Sequence, residues 1–212
     1  MPCYNESKNI SKSINETLKY AKNLVVVDDG SKDNTFQIIE KTKGIHKLKH
    51  IINLGKGAAL KTGIEYAINN GGRKLVFIDS DGQHQPKEIP KFLELLNKYD
   101  IVFGYRRLNK KMPIIFRIGN KLLNTGIYLL FGMNLRDTQS GYRAITSETY
   151  KKIKWKSTSY TVESEMIANA GKRRLKYIEI PISTIYANKH KGTTVLDGIK
   201  IMFDMIIFRF RR

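Results

Sequence analysis

One cysteine, Cys3, among 212 residues leaves no partner for an intramolecular disulfide and suits a reducing compartment. No apolar run approaches the roughly 20 uninterrupted residues of a membrane-spanning helix, so no spanning segment is expected. The opening Met1-Pro2-Cys3-Tyr4-Asn5 lacks the apolar centre of a signal peptide, which makes the cytoplasm the expected home of the chain body. Internal repeats, low-complexity tracts and linkers are missing too. Acids are the scarce charge: 19 Asp and Glu face 38 Lys and Arg, a formal net charge of +19. That excess implies an anionic partner, whether nucleic acid, an anionic membrane surface or a phosphorylated substrate. A hydrophobic content of 41% with 27% charged residues argues against disorder and fits one domain with a sizeable core.

What is present alternates. Short apolar runs at Leu24 to Val27, Leu48 to Ile52, Leu75 to Ile78 and Ile101 to Phe103 read as buried strands. Amphipathic segments around Thr35 to Lys43, Ala58 to Asn69 and Pro86 to Asn97 are long enough for crossover helices. Together they predict an α/β fold with a mostly parallel sheet. Beyond residue 105 the rhythm changes to a long apolar helix (Ile114 to Phe131), a loop at Arg136 to Gly141, a helix through Glu163 and Ala170, and a strand from Tyr177 to Ile182. In such sheets ligands bind at the carboxyl ends of the strands.

Acids collect at those ends. Val25-Val26-Val27 runs into Asp28-Asp29-Gly30-Ser31, followed by Asp33 and Thr35; Ser31 or Asp33 can equally cap the next helix. Phe77-Ile78 leads into Asp79-Ser80-Asp81-Gly82-Gln83-His84. Alternate residues of an extended segment point the same way, so Asp79 and Asp81 can converge on one hard cation. A surface turn also favours Asp and Gly. Two carboxylates with the Gln83 amide are oxygen donors suited to Mg2+ or Mn2+ rather than zinc, and His84 is either a further ligand or a solvated loop residue.

Asn53-Leu54-Gly55-Lys56-Gly57 opens a helix with small residues. Its glycines allow close backbone approach, and the helix N-terminus with Lys56 is a candidate phosphate site. Neither the P-loop nor the complete Rossmann glycine pattern is present. Arg136 to Arg143 packs cation, acid and hydroxyl into a short loop, after a basic stretch of Arg106, Arg107, Lys110, Lys111, Arg117 and Lys121. The apolar residues between them suggest a charged groove beside a greasy wall.

In this order the segments Pro2-x-Tyr4-Asn5-Glu6, Val26-Val27-Asp28-Asp29-Gly30-Ser31-x-Asp33-x-Thr35, Asn53-x-Gly55-Lys56-Gly57, Asp79-x-Asp81-Gly82-Gln83-His84-x-Pro86 and Asp137-x-x-Ser140-Gly141-x-Arg143 resemble glycosyltransferase family 2. The branch most resembled is that of dolichol-phosphate mannose synthase and related polyprenyl-phosphate glycosyltransferases. The resemblance implies a GT-A fold, a GDP- or UDP-linked nucleotide-diphosphate sugar as donor, and inversion at the sugar carbon. It implies that Pro2, Tyr4, Glu6 and Asp29 border the nucleotide, and that Asp79, Asp81 and Gln83 form the metal and diphosphate site. Lys56, Arg143, Lys189 and Lys191 are further donor-binding candidates. Arg117, with Arg106 as companion, falls where the branch holds a polyprenyl or dolichyl phosphate acceptor. Such an acceptor is already anionic and needs no general base; an alcohol acceptor needs one, and Asp137 is then the candidate.

Two departures stand out. The family's first strand normally precedes Pro2, so neighbouring strands are expected to lack a partner there. Near the C-terminus, Lys189-His190-Lys191-Gly192-Thr193-Thr194 replaces an arginine followed by Gly-x-Ser-Lys; lysine keeps the charge and loses the bidentate geometry. The Gln-x-x-Arg-Trp signature of processive synthases is missing, which favours transfer of a single sugar.

Residues 1–194 read as the catalytic domain and 195–212 as an amphipathic helix. Val195, Leu196, Ile199, Met202, Phe203, Ile206, Ile207 and Phe210 form one stripe, expected to lie on the cytoplasmic face of a membrane rather than against the enzyme's own core. A nucleic-acid partner is not expected, since no such motif accompanies the charge and the strand-end acids repel phosphates in the absence of metal. A nucleotidyltransferase, which also uses paired acids on a related sheet, is the nearest alternative enzyme.

Overall fold

The computed structural model describes residues 1–106, 114–185 and 195–210, and in the helices that open at 114 and 195 the side chains from 121 and 201 onward. Two sheets organise the chain. The first has strand order β1 (Pro2–Cys3), β2 (Val25–Asp28), β3 (His46–Lys49), all parallel. The second runs β4 (Lys74–Phe77), β6 (Arg143–Thr146), β5 (Ile101–Arg106), β7 (Tyr177–Ile182). Within it β5 and β7 are parallel, while β6 is antiparallel to both of its neighbours. The α/β class and the mostly parallel pairing follow the expectation. The antiparallel β6 was not foreseen, because four residues opening on a charged arginine show no period.

Helices α1 (Ile10–Leu18), α2 (Thr35–Lys41), α3 (Lys56–Asn69) and α4 (Ile89–Leu95, entered through a 3-10 turn at Pro86–Glu88) connect the first strands. Helix α1 is not among the expected elements, although Ile10, Ile14 and Thr17 are buried at the four- and three-residue spacing of one helix face. The strand expected at Leu48 to Ile52 lies earlier, and its residues are mostly exposed. Ile51 is 97% exposed, since the chain turns at His50, whose amide donates to Asp28 O at 2.8 Å, to bring the next residues over Asp29. The edge of β2 that was expected to lack a partner is paired with Pro2 and Cys3.

The later helices are α5 (Ile114–Phe131), α6 (Ser147–Ile153), α7 (Val162–Lys172) and α8 (Val195–Phe210). The largest core cluster joins Phe77, Phe103 and Ile145 of the second sheet to Leu123 and Ile127 of α5, Met166 of α7 and Met205 of α8. On α8 the described members of the expected stripe lie outward or half-buried: Phe203, Ile206, Ile207 and Phe210 are exposed and Met202 is half-buried. A second apolar face that the stripe did not contain, Ile201, Met205 and Phe208, is buried against the protein. Lys189 and Lys191 lie outside the described residues, as do Arg107, Lys110 and Lys111.

Candidate active site

The acidic loop after β4 is held from several sides. Ser13 Oγ donates to Ser80 O at 2.8 Å, and the Gln83 amide donates to Asp81 Oδ1 at 2.9 Å. Gly82 turns the chain with φ +75°, a conformation glycine adopts without steric cost. Asp81 and Gln83 remain half-buried at the surface of the loop. His84 is not a solvated loop residue. It is buried, its Nδ1 accepts the Asp79 amide at 3.3 Å, and its ring lies 5.0 Å from that of Tyr142. Burial holds its pKa below the ordinary value, so a neutral imidazole supports the loop from behind.

Asp79 reaches into a charge triad. Lys56 Nζ lies 2.8 Å from Asp79 Oδ1 and 2.8 Å from Glu163 Oε1. Burial pushes the Asp79 carboxyl up, but the Lys56 ammonium outweighs it and brings it down to about 2. Burial acts against charge on Lys56, and the two carboxylates more than offset it, so the lysine stays protonated. Gly141 makes the arrangement possible: a Cβ there would lie 2.6 Å from Asp79 Oδ2 and 2.8 Å from Lys56 Nζ.

The N-terminus of α3 does not offer the phosphate cradle that was expected. Thr158 O already accepts the amides of Gly57 at 2.7 Å and Ala58 at 3.2 Å, and Trp155 Nε1 donates to Gly57 O at 3.0 Å. Gly55 and Gly57 do permit close approach, but to the main chain of residues 157–159.

On the other side of the strand ends, two loops are stitched together. The Asn5 amide donates to Ser31 Oγ at 3.0 Å, the Lys32 amide to Asn5 Oδ1 at 2.8 Å and the Glu6 amide to Thr35 Oγ1 at 2.8 Å. Pro2 is buried in β1, while Tyr4 stands exposed and Glu6 half-buried at the rim. Asp29 is deeply committed: Oδ1 accepts the Leu54 amide at 3.0 Å and His50 Nδ1 at 2.7 Å, and Oδ2 accepts the Gly55 amide at 2.8 Å. It therefore shapes the 50–55 loop. Asp28 Oδ2 accepts the Ser31 amide at 3.2 Å, and its Oδ1 is buried without a hydrogen-bond partner among the described residues.

A second ion pair closes the site below β5. Arg106 donates to Asp137 from Nε at 2.7 Å and from Nη2 at 3.1 Å, and its main-chain amide adds a third bond at 3.1 Å. Burial raises the Asp137 carboxyl, yet the Arg106 guanidinium outweighs it and leaves the pKa below the usual carboxylate range. Arg106 is thus engaged with an acid, with its side chain 34% exposed. Arg143 departs from expectation. It is 1% exposed and donates to Ser140 O at 2.9 Å, Glu163 O at 2.6 Å and Thr138 O at 2.8 Å, a buried clamp on the main chain rather than a ligand contact. Arg117 falls in the first turns of α5, and its side chain lies outside the described residues.

Asp79, Asp81, Gln83 and Lys56 are therefore brought together, and Asp29, Tyr4 and Glu6 border the same strand ends. Sequence reasoning missed Glu163 as a site residue. Its only local signal, an acid in the first turn of a helix, is shared with Glu165 and is ordinarily explained by the helix dipole. Among the described residues no group of three or more His, Cys, Asp or Glu side chains is gathered for a metal. The donors at hand are hard oxygens of Asp79, Asp81 and Gln83, which fit an ion such as Mg2+ or Mn2+ that keeps waters and takes substrate phosphate oxygens.

Comparison with known proteins places the chain among its relatives. An uncharacterised protein of Methanocaldococcus jannaschii is 42% identical over 218 residues, covering 98% of this chain and 89% of that one. The UDP-N-acetylglucosamine–dolichyl-phosphate N-acetylglucosaminyltransferase of Methanococcus voltae is 32% identical over 236 residues, covering 99% of this chain and 94% of its own length. Among solved structures, glucosyl-3-phosphoglycerate synthase from Mycobacterium tuberculosis, in complex with Mn2+, uridine diphosphate and phosphoglyceric acid, superposes with a TM-score of 0.76 at 17% identity, over 100% of this chain and 77% of that one. That likeness shows the GT-A fold. The family model for glycosyl transferase family 2 matches residues 1–180, and the chain belongs to that family: it is a glycosyltransferase.

Proposed function

We propose that the enzyme moves one sugar, with inversion, from a nucleotide-diphosphate sugar to a polyprenyl or dolichyl phosphate at a membrane surface. The observation that carries the acceptor assignment is Asp137 held by Arg106. An alcohol must lose its proton as it attacks, and an efficient base has a pKa near the working pH. Asp137, the acid proposed for that task, is stabilised as an anion well below it. A phosphate monoester brings its own negative oxygen and needs no such base. The acceptor named for the Methanococcus voltae relative supports this reading, and the Mn2+ and uridine diphosphate named for the mycobacterial neighbour support the donor class.

In this reading Pro2, Tyr4, Glu6 and Asp29 border the nucleotide, Asp29 through the loop it organises. Asp79, Asp81 and Gln83 hold Mg2+ or Mn2+, which when bound neutralises charge growing on the departing diphosphate. Lys56 acts from within its triad, and Arg117 takes the acceptor phosphate. Lys189 and Lys191 supply charge towards the diphosphate. Arg106 orients Asp137 and the 137–141 loop.

The acceptor's lipid favours a peripheral position on the cytoplasmic face of a membrane. Phe203, Ile206, Ile207 and Phe210 on α8 and Leu122, Tyr128 and Leu129 on α5 are exposed on two helices that pack together, in a chain of net charge +19. Such a surface suits the boundary of an anionic bilayer, and no helix among the described residues is long and apolar enough to cross one. The test is incubation with nucleotide sugars and short polyprenyl phosphates, scored by nucleoside diphosphate and glycolipid. Turnover with glycans or other alcohols and none with polyprenyl phosphates would overturn the acceptor assignment.

A further inference from the structure

We propose that Glu163 is a positioning residue for the cation site: it shares the Lys56 ammonium with Asp79 and so preserves the negative charge that draws a divalent ion to the Asp79–Asp81 loop. The inference rests on the reading of Asp79 and Asp81 as cation ligands.

Lys56 Nζ is equidistant from Asp79 Oδ1 and Glu163 Oε1, 2.8 Å from each. One cation between two anions leaves the triad with a net charge of one negative unit. Without Glu163, the Lys56–Asp79 pair would be neutral, and Asp81 alone would give the loop its charge. A lysine facing one partner would also hold Asp79 more tightly, in direct competition with any incoming cation.

Glu163 is an unusual place for an acid whose only task is to start a helix. It is 4% exposed, where a carboxylate needs compensation, and its Oε2 is buried without a hydrogen-bond partner among the described residues. Glu165, two residues on in the same first turn, shows what a helix-start acid does here: its carboxylate accepts the amides of Lys156 at 3.0 Å and Ser157 at 2.7 Å. Glu163 makes no such loop contact and is turned to Lys56.

Its placement is also fixed with care. Arg143 Nη1 grips Glu163 O at 2.6 Å, while the same guanidinium grips Thr138 O and Ser140 O. This ties the start of α7 to the loop that ends in Gly141, where the absence of a side chain admits Asp79 and Lys56. Four segments distant in sequence thus meet at one ammonium. Charge interactions across such a partly dry site are felt far more than in water.

The test is a titration of the full chain with Mn2+ alone, followed by the paramagnetic resonance of free Mn2+ at fixed pH and ionic strength, with no nucleotide present. Glu163→Gln, nearly isosteric, should weaken Mn2+ binding by about tenfold. Lys56→Gln should tighten it, because it removes the competing cation. Asp81→Asn should lose it. A purely structural role for Glu163 moves melting temperature and leaves opposite signs at Glu163 and Lys56 unexplained. Mn2+ affinity in Glu163→Gln equal to wild type, with binding still lost in Asp81→Asn, would overturn the inference and leave the cation site standing. Binding unaffected by Asp81→Asn, or no uptake by wild type, would overturn both. If Glu163→Gln does not fold, Lys56→Gln decides: tighter Mn2+ binding supports the proposal, and unchanged or weaker binding contradicts it.

Discussion

Gly141 and Asp79 are fitted to each other: a single Cβ on Gly141 would lie 2.6 Å from Asp79 Oδ2 and 3.1 Å from Oδ1. The atoms in the way are ends of side chains, including Lys56 Nζ at 2.8 Å, so the fold can yield where the site cannot. Gly141→Ala should therefore fold with a melting temperature within a few degrees of wild type and lose most of its transfer activity. Gly57→Ala provides the contrast, since its Cβ would meet the main-chain oxygen of Ser157 at 2.3 Å and should destabilise the fold itself. Retained activity in Gly141→Ala would detach Asp79 from the chemistry.

Among the described residues Asp81 accepts only a local amide, from Gln83, and its loss should spare the fold. Asp81→Asn is expected to abolish transfer, because a charged metal ligand is worth several kcal/mol of transition-state stabilisation. Excess chelator should do the same to wild type, with recovery on adding Mg2+ or Mn2+. Near-normal turnover in the variant would remove the metal assignment.

The two apolar faces of α8, one outward and one buried, make membrane contact and core packing separately testable. Phe203→Gln with Ile207→Gln should reduce sedimentation with anionic vesicles and leave the melting temperature nearly unchanged, since both residues are exposed. Phe208→Ala, at a buried position, should cost roughly 3–5 kcal/mol and leave vesicle binding by the folded fraction intact. If the outward pair changes stability and not sedimentation, that face covers protein.

Much of this was legible in the sequence for a physical reason: long, strongly periodic segments announce themselves. The ends of α5 and β7 follow their apolar patterns, and the acids after β2 and β4 mark where the chain leaves the sheet. What was hidden depends on contacts across the chain. Nothing local says that Arg143 turns inward to bind carbonyls of Thr138, Ser140 and Glu163, or that Thr158 fills the N-terminus of α3. On α8 every third or fourth residue is apolar on two faces, so periodicity alone could not say that Met205 and Phe208 would be the buried pair.

Asp137 supplies a prediction with a sign. Its pKa in the folded protein is lowered by Arg106 against the effect of burial, so its ionised form favours the native state. That stability is fully present above the unfolded carboxyl value of about 3.9 and is lost as pH falls through the folded value. Asp137→Asn should cost about 1.5–3 kcal/mol near neutrality, as expected for charged hydrogen bonds, and the gap to wild type should close in acid. Thermal melts between neutrality and acid pH check this; a gap that widens in acid would contradict it.

The acceptor assignment is tested most directly by one comparison of rates. Purified protein, a nucleotide-sugar panel and Mn2+ are combined with a short polyprenyl phosphate or with the matching polyprenol, and nucleoside diphosphate and glycolipid are measured together. The phosphate should be glycosylated with stoichiometric nucleoside diphosphate release, the alcohol should not react, and the rate should show no acidic limb near neutral pH attributable to Asp137. Equal turnover of the polyprenol, with a near-neutral limb that disappears in Asp137→Asn, would make Asp137 a general base and contradict the assignment.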